Sequence, residues 1–146
     1  MGNWLILAAT LAAFNVPQER AKGGDTREFT QHVKELDASG TQVKVLVTEC
    51  FSSCTFYLFA RNVCIAPMTR FHFHGPFDSA TFRRTGQRGL SAKAINETLL
   101  VMTRNYETRV PGLGNWFAKN AAHLWGTRYA TLTGSQIHAR FNVPYC

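Results

Sequence analysis

Along this chain the apolar residues fall into distinct patterns, and each pattern predicts a different kind of element. From Trp4 to Phe14 they form a run broken only by Thr10. That run is too short to span a bilayer and suits either a secretory hydrophobic segment or a buried N-terminal element. From Thr26 to Ala38, Phe29, Val33 and Leu36 recur at helical spacing among charged residues, which predicts an amphipathic helix closing at Ser39-Gly40. Val43 to Val47 reads as a strand rich in β-branched residues, and a short apolar helix is expected from about Cys54 to Ala60. Two further strands follow, Asn62 to Ala66, stopped by Pro67, and Arg70 to His74. The β-α-β order predicts an α/β fold with a parallel sheet covered by helices.

The polar stretches complete the outline. Val16 to Asp25 is turn-rich, and residues 75–89 carry three glycines without a steady period, which predicts a mobile loop beside His74. A long helix is expected from Ser91 to about Arg109, stopped by Pro111-Gly112, and a second from about Asn115 to Leu124. The tail from Gly126 reads as strand or turn. Tyr106, Trp116 and Trp125 are expected to pack the C-terminal helices on the sheet. With no repeat or linker, residues 15–146 are expected to form one domain, and 1–14 a signal or an N-terminal apolar segment.

Composition adds limits. At 146 residues, 45% hydrophobic and 17% charged, the chain can bury a core, which excludes a disordered class. The net charge of +7 suits an acidic partner, yet the cations are scattered and only Arg83, Arg84 and Arg88 cluster. No basic-aromatic motif accompanies them, so no nucleic-acid partner is expected, and the shortness of the apolar run means that no stable membrane span is expected either. Thr10-Leu11-Ala12 offers small residues for cleavage, although Met1-Gly2-Asn3 lacks the basic residue of a secretory signal. Four cysteines, Cys50, Cys54, Cys64 and Cys146, are an even count, which suggests bridges in an exported chain. Export to the periplasm or medium is the expectation and a cytoplasmic location the alternative. Sequence leaves three pairings open; a bridge from Cys64 to Cys50 or Cys54 is expected, tying a strand to the Ser52 turn.

The chemistry concentrates at Cys50-Phe51-Ser52-Ser53-Cys54-Thr55 and at Arg70-Phe71-His72-Phe73-His74-Gly75-Pro76. A serine where a strand gives way to a helix exposes its hydroxyl and aims the following amide into the same space. Such a hydroxyl needs a base and fixed N–H donors for the developing oxyanion. Ser52 is the candidate nucleophile, His74 the candidate base, and the amides of Ser53 and of Gly23 or Gly24 the candidate oxyanion donors. Plainer readings compete. Ser52 caps the following helix, and His72 and His74, on one strand face, are hydrogen-bonded without chemistry. Cys50, Cys54, His72 and His74 also form a conceivable zinc set.

The order Gly-Gly, amphipathic helix, strand, Ser-x-Cys-Thr helix, strand ending in proline and then His-Gly-Pro resembles the proteolytic subunit of Clp proteases, within the crotonase-like superfamily. It looks closest to short exported Clp-like proteins with a Cys-x-Ser-x-Cys-Thr segment. The family's Ser-Met-Gly-Ala helix corresponds to Ser52-Ser53-Cys54-Thr55 running to Ala60, its Pro-Asn-Ser-Arg strand and His-Gln-Pro to Pro67-Met68-Thr69-Arg70 and His74-Gly75-Pro76, and its Ser-Pro-Gly-Gly loop to Ala21-Lys22-Gly23-Gly24. The resemblance selects Ser52 over Ser53 and His74 over His72. It implies a single crotonase-like domain, serine peptidase activity without a cofactor or metal, a peptide or protein substrate, and a homo-oligomer. A catalytically weakened peptide-binding or assembly module is the alternative. One departure stands out. The family's orienting aspartate follows the long helix, and here no Asp or Glu occurs after Glu107. Tyr129 falls near its place, with Asn120 and His123 as further substitutes.

Overall fold

The computed structural model describes residues 11–146. The predicted apolar segment therefore lies mostly outside the described residues. Its end is β1 (Ala13–Asn15), which pairs in parallel with β2 (Gln42–Val45). Between them come α1 (Gln18–Ala21), a single turn within the stretch read as turns, and α2 (Thr26–Ala38). The helix α2 forms where its periodicity predicts. Asp25 caps it by accepting from the amides of Arg27 and Glu28, and Phe29, Val33 and Leu36 form its buried stripe.

The parallel sheet of the prediction is present but divided. β1, β2 and β4 (Val63–Ile65) form one parallel sheet. β3 (Glu49–Phe51), β5 (Arg70–Phe73) and β6 (Ala130–Thr133) form the second, with β3 and β5 parallel and β6 antiparallel to β5. The two central chain segments run through both sheets: β2 continues into β3 across Leu46, Val47 and Thr48, and β4 into β5 across Ala66 to Thr69. The buried hydroxyl of Thr69 donates to the Val47 carbonyl within this gap, supplying a polar partner where the ladder lapses.

Between β3 and β4 lies a 3₁₀ helix, Ser52–Phe59, in place of the predicted α-helix. Every residue from Ser53 to Phe59 is buried, so tertiary packing sustains a tight helix of unusual length for its type. The loop predicted over 75–89 contains α3 (Ser79–Thr85), capped by Asp78 and closed by Gly86 in the left-handed region. None of its residues is buried, so no apolar period marked it. α4 (Ala92–Arg109) matches its prediction, and α5 (Leu113–Asn120) starts and ends earlier than expected. The tail holds β6 and also α6 (Gly134–Phe141), opened by a Thr133/Gln136 capping box.

The core gathers Tyr57, Leu58, Ile65, Phe71, Phe73, Tyr106, Leu113, Phe117 and Ile137 between the sheets and the helices. Trp116 packs edge-on against Phe73, as expected of a residue holding α5 to the sheet, whereas Trp125 packs on Phe82 of α3.

Two disulfides correct the expected pairing. Cys50 joins Cys54, and Cys64 joins Cys146. The second pins the C-terminal tail along the outer edge of β4, where the Ile65 amide donates to Pro144 and the Cys146 amide donates to Ile65. Cys64 therefore ties a strand to the tail, and the Ser52 turn carries its own bridge. The first disulfide also removes both thiolates from the conceivable zinc set. Among the described residues no helix is long and apolar enough to cross a membrane.

Candidate active site

Ser52 sits where β3 ends and the 3₁₀ helix begins, with φ of +56°. A residue with a Cβ in the left-handed region costs roughly 1–2 kcal/mol, so the surroundings must hold it there. Four contacts do so. The Cys50–Cys54 disulfide spans the turn, and both cysteines are fully buried. The Thr55 hydroxyl donates to the Ser52 carbonyl at 2.7 Å, and since that uses its proton, the buried Tyr106 hydroxyl donates to Thr55, also at 2.7 Å. Burial raises the Tyr106 pKa, which keeps that donor protonated. Gly23 lies against the turn with φ of +82°; a Cβ there would stand 2.8 Å from the Phe51 oxygen and 3.0 Å from the Ser52 Cβ. Last, the buried Ser53 hydroxyl donates to the Gly24 carbonyl at 2.8 Å, fastening the glycine loop to the helix.

This network separates the two glycines named from sequence. The Gly23 amide donates to the Arg20 carbonyl at 3.1 Å and is engaged within its own turn. The Gly24 amide has no acceptor among the described residues, and Gly24 lines a small cavity with Ser52, Ser53 and His74. Ser53 opens the helix next to Ser52, so its amide is one of the N–H groups that a helix start leaves without an intrahelical partner. Of the candidate oxyanion residues, Gly24 and Ser53 line the cavity, and Gly23 is the residue whose lack of a side chain lets the loop approach.

His74 follows β5. Along that strand Phe71 and Phe73 point into the core, which puts His72 and His74 on the other face. His74 is buried, and its Nδ1 lies 2.6 Å from the Gly75 carbonyl, an acceptor only. Nδ1 must therefore carry the proton in the neutral ring, which leaves Nε2 as the lone-pair nitrogen. Gly75 can offer its carbonyl here because its backbone is pressed onto the loop before β6: its amide donates to Leu124 at 2.7 Å, and a Cβ would fall 2.1 Å from the Ala122 oxygen. Burial lowers the His74 pKa, the Gly75 bond opposes that shift, and the positive charge of Arg88 adds to the lowering. Arg88 itself is held by donation from Nε to the Pro76 carbonyl.

Ser52 and His74 line the same cavity, of about 50 Å³, together with Phe56, Phe77 and Met102. They are not hydrogen-bonded to each other, and Ser52 Oγ makes no hydrogen bond among the described residues. Among the described residues no carboxylate bonds His74. Of the substitutes named from sequence, Tyr129 packs against the His74 ring at 5.5 Å, Asn120 bonds back to the Trp116 carbonyl, and His123 makes no hydrogen bond to His74. The orienting group is the Gly75 carbonyl, which sequence reasoning missed because every residue carries one. Thr55 and Tyr106 were missed as supports for the turn, although the placement of cysteines two residues either side of Ser52 hinted at a built structure there.

His72 lies in a different setting. It stacks on Phe51, its Nε2 pairs with Glu49 and its Nδ1 with Thr131 at 2.7 Å. Glu49 also receives Arg70, and the His72 hydrogen bond followed by that of Arg70 lowers the Glu49 pKa. Comparison with family models, curated proteins and solved structures finds no match to this chain.

Proposed function

We propose that this chain is a serine hydrolase of the crotonase-like, Clp-type kind that acts on peptides, is exported, and works as a homo-oligomer. The observation that carries the reading is Ser52, a non-glycine residue held at positive φ at a strand-to-helix turn, lining one cavity with a histidine whose free nitrogen is defined by its other bond. The two disulfides suit an oxidising compartment. In this reading Ser52 Oγ attacks the carbonyl carbon and its proton passes to His74 Nε2. The oxyanion is met by the amides of Gly24 and Ser53. The intermediate collapses as Nε2 returns the proton to the departing amine, and water then attacks the acyl-enzyme by the same route.

The Gly75 carbonyl fixes the tautomer but carries no full negative charge to balance the imidazolium. The imidazolium formed during attack therefore lacks the stabilisation a triad carboxylate gives, and the nearby Arg88 charge opposes its formation further. That observation favours a second reading, a weakened member that binds peptides in the same cleft. Fluorophosphonate labelling of the unreduced protein decides between them. Labelling that disappears in Ser52→Ala and persists in Ser53→Ala is the expected result. A folded wild-type protein that does not label leaves the binding reading.

A further inference from the structure

A larger groove lies beside the serine cavity. Thr26, Phe56 and Met102 line both that cavity and a groove of about 360 Å³ between α2 and α4. Its floor is apolar, formed by the buried Phe56 and Phe59 of the 3₁₀ helix and by Met102. Beyond Thr30 and Lys34 it continues into a recess of about 180 Å³ reaching Asp37 and Arg109.

The charges on its walls are sorted by sign. Arg27 and Lys34 of α2 line the groove, Arg104 and Arg109 of α4 line the recess, and among the described residues Asp37 is the one carboxylate that lines either. Asp37 is already engaged, accepting from the Arg61 amide at 2.9 Å and standing 3.9 Å from Arg109. The other acids of the two helices also have partners: Glu28 with Arg20, Glu35 with Gln31, Glu97 with Lys93, and Glu107 with the amides of Gly112 and Asn115. Among the described residues, Arg27, Lys34 and Arg104 have no carboxylate within salt-bridge reach. The groove thus has an apolar floor and unpaired positive charge along its α2 side, with the unpaired Arg104 of α4 in the adjoining recess.

Several separated cations call for several separated anions. Arg27 and Lys34 stand about 10 Å apart along α2, two helical turns, which a ligand with a single charged head cannot bridge while its tail fills the floor. The stretch of α2 from Thr26 to Asp37 spans about 16 Å, matched by about five residues of extended chain. Thr30, Gln31, Thr98 and Asn105 add hydrogen-bonding groups for a peptide backbone.

We propose that this groove binds acidic peptide segments, with aliphatic side chains on the Phe56, Phe59 and Met102 floor and carboxylates at Arg27, Lys34 and Arg104. Delivery of that peptide to Ser52 rests on the hydrolase reading; the binding does not.

The test is calorimetric titration of the full, disulfide-intact Ser52→Ala protein with an alternating Glu-Leu peptide, a Gln-Leu peptide and a Lys-Leu peptide. The Glu-Leu peptide is expected to bind about tenfold more tightly than the Gln-Leu peptide, the ratio that two or three exposed ion pairs supply, and the Lys-Leu peptide not at all. The preference should shrink as salt is raised from about 50 to about 500 mM. Reversal of two exposed positions, Arg27→Glu with Lys34→Glu, should abolish it, while the distant pair Lys119→Glu with Arg140→Glu leaves it unchanged. If the double reversal does not fold, Arg27→Gln and Lys34→Gln singly should each weaken binding about threefold. Equal affinity for the Glu-Leu and Gln-Leu peptides, no effect of the Arg27 and Lys34 changes, or displacement of the groove's occupant by dodecanoate alone would overturn the assignment. Fluorophosphonate labelling without acidic-peptide binding removes the groove and keeps the hydrolase; the reverse result removes the hydrolase and keeps the groove.

Discussion

Ser52 and Ser53 are chain neighbours, and His72 and His74 share one face of a strand, yet within each pair the two side chains have different occupations. Ser53 uses its hydroxyl to hold the Gly24 carbonyl, and His72 uses both nitrogens, on Glu49 and Thr131. Ser52 makes no side-chain hydrogen bond among the described residues, and His74 uses only Nδ1. Burial does not make this division, since Ser53 is the more buried serine whereas His74 is the more buried histidine. What separates the pairs is hydrogen-bond occupancy. Ser53 and His72 stitch elements together, while Ser52 and His74 each keep a reactive lone pair at one cavity.

The histidines offer the largest test of that division. His74→Ala should slow fluorophosphonate labelling about 10³-fold, the usual scale for loss of a positioned base. His72→Ala should leave the rate within about threefold and lower stability by about 1 kcal/mol, because it removes side-chain bonds that join β3, β5 and β6. Equal losses of labelling in the two variants would break the comparison. Stopped-assay gels for the rate and thermal unfolding for the stability provide both readings.

Next in size is the glycine loop. Gly23→Ala adds a Cβ 2.8 Å from the Phe51 oxygen at a residue with φ of +82°. It should cost about 2–3 kcal/mol in denaturant unfolding, combining backbone strain with a clash against backbone, and should displace the Ser52 turn enough to suppress labelling. Gly24→Ala sharpens the contrast. Its φ is outside the left-handed region and its Cβ would meet only the Phe29 ring at 3.2 Å, so the stability loss should be under about 1 kcal/mol. Ser53→Ala belongs on the same scale: about 1 kcal/mol of stability, with labelling retained.

The sequence made some of this legible and hid the rest for identifiable reasons. α2 was readable because one stripe of three apolar residues carries its burial, and β5 because Phe71 and Phe73 alternate with histidines. The division of the sheet was not, since it turns on a Thr69 hydroxyl reaching the Val47 carbonyl across a gap in the ladder. α3 escaped because it buries nothing, and α6 was marked only by the Thr133-x-x-Gln136 spacing, a capping-box signature. At the candidate site, sequence named Ser52, His74 and the glycine loop. It could not find the group that orients His74, because a backbone carbonyl has no letter of its own, nor foresee that Tyr106 supports Thr55 from 51 positions away. The disulfide pairing depended on where the tail docks, and nothing local to Cys64 or Cys146 specifies that.

The smallest predicted effect bears on the same histidine contrast. Burial and Arg88 lower the His74 pKa below the ordinary 6.5, against the opposing Gly75 bond. Between that lowered value and 6.5 the unfolded chain binds more protons than the folded one. This group's contribution to stability is therefore present above 6.5, is lost as pH falls through that window, and changes no further below the folded pKa. Labelling needs the neutral imidazole, so the inflection of its rate should lie below pH 6.5. A histidine held by a carboxylate would inflect higher, since the negative charge favours its protonated form. Arg88→Gln should move the inflection upward by removing the nearby positive charge. An inflection above 6.5 in the wild type would mean that a carboxylate reaches His74 in solution, and the distinction drawn between the two histidines would then fail at its central point.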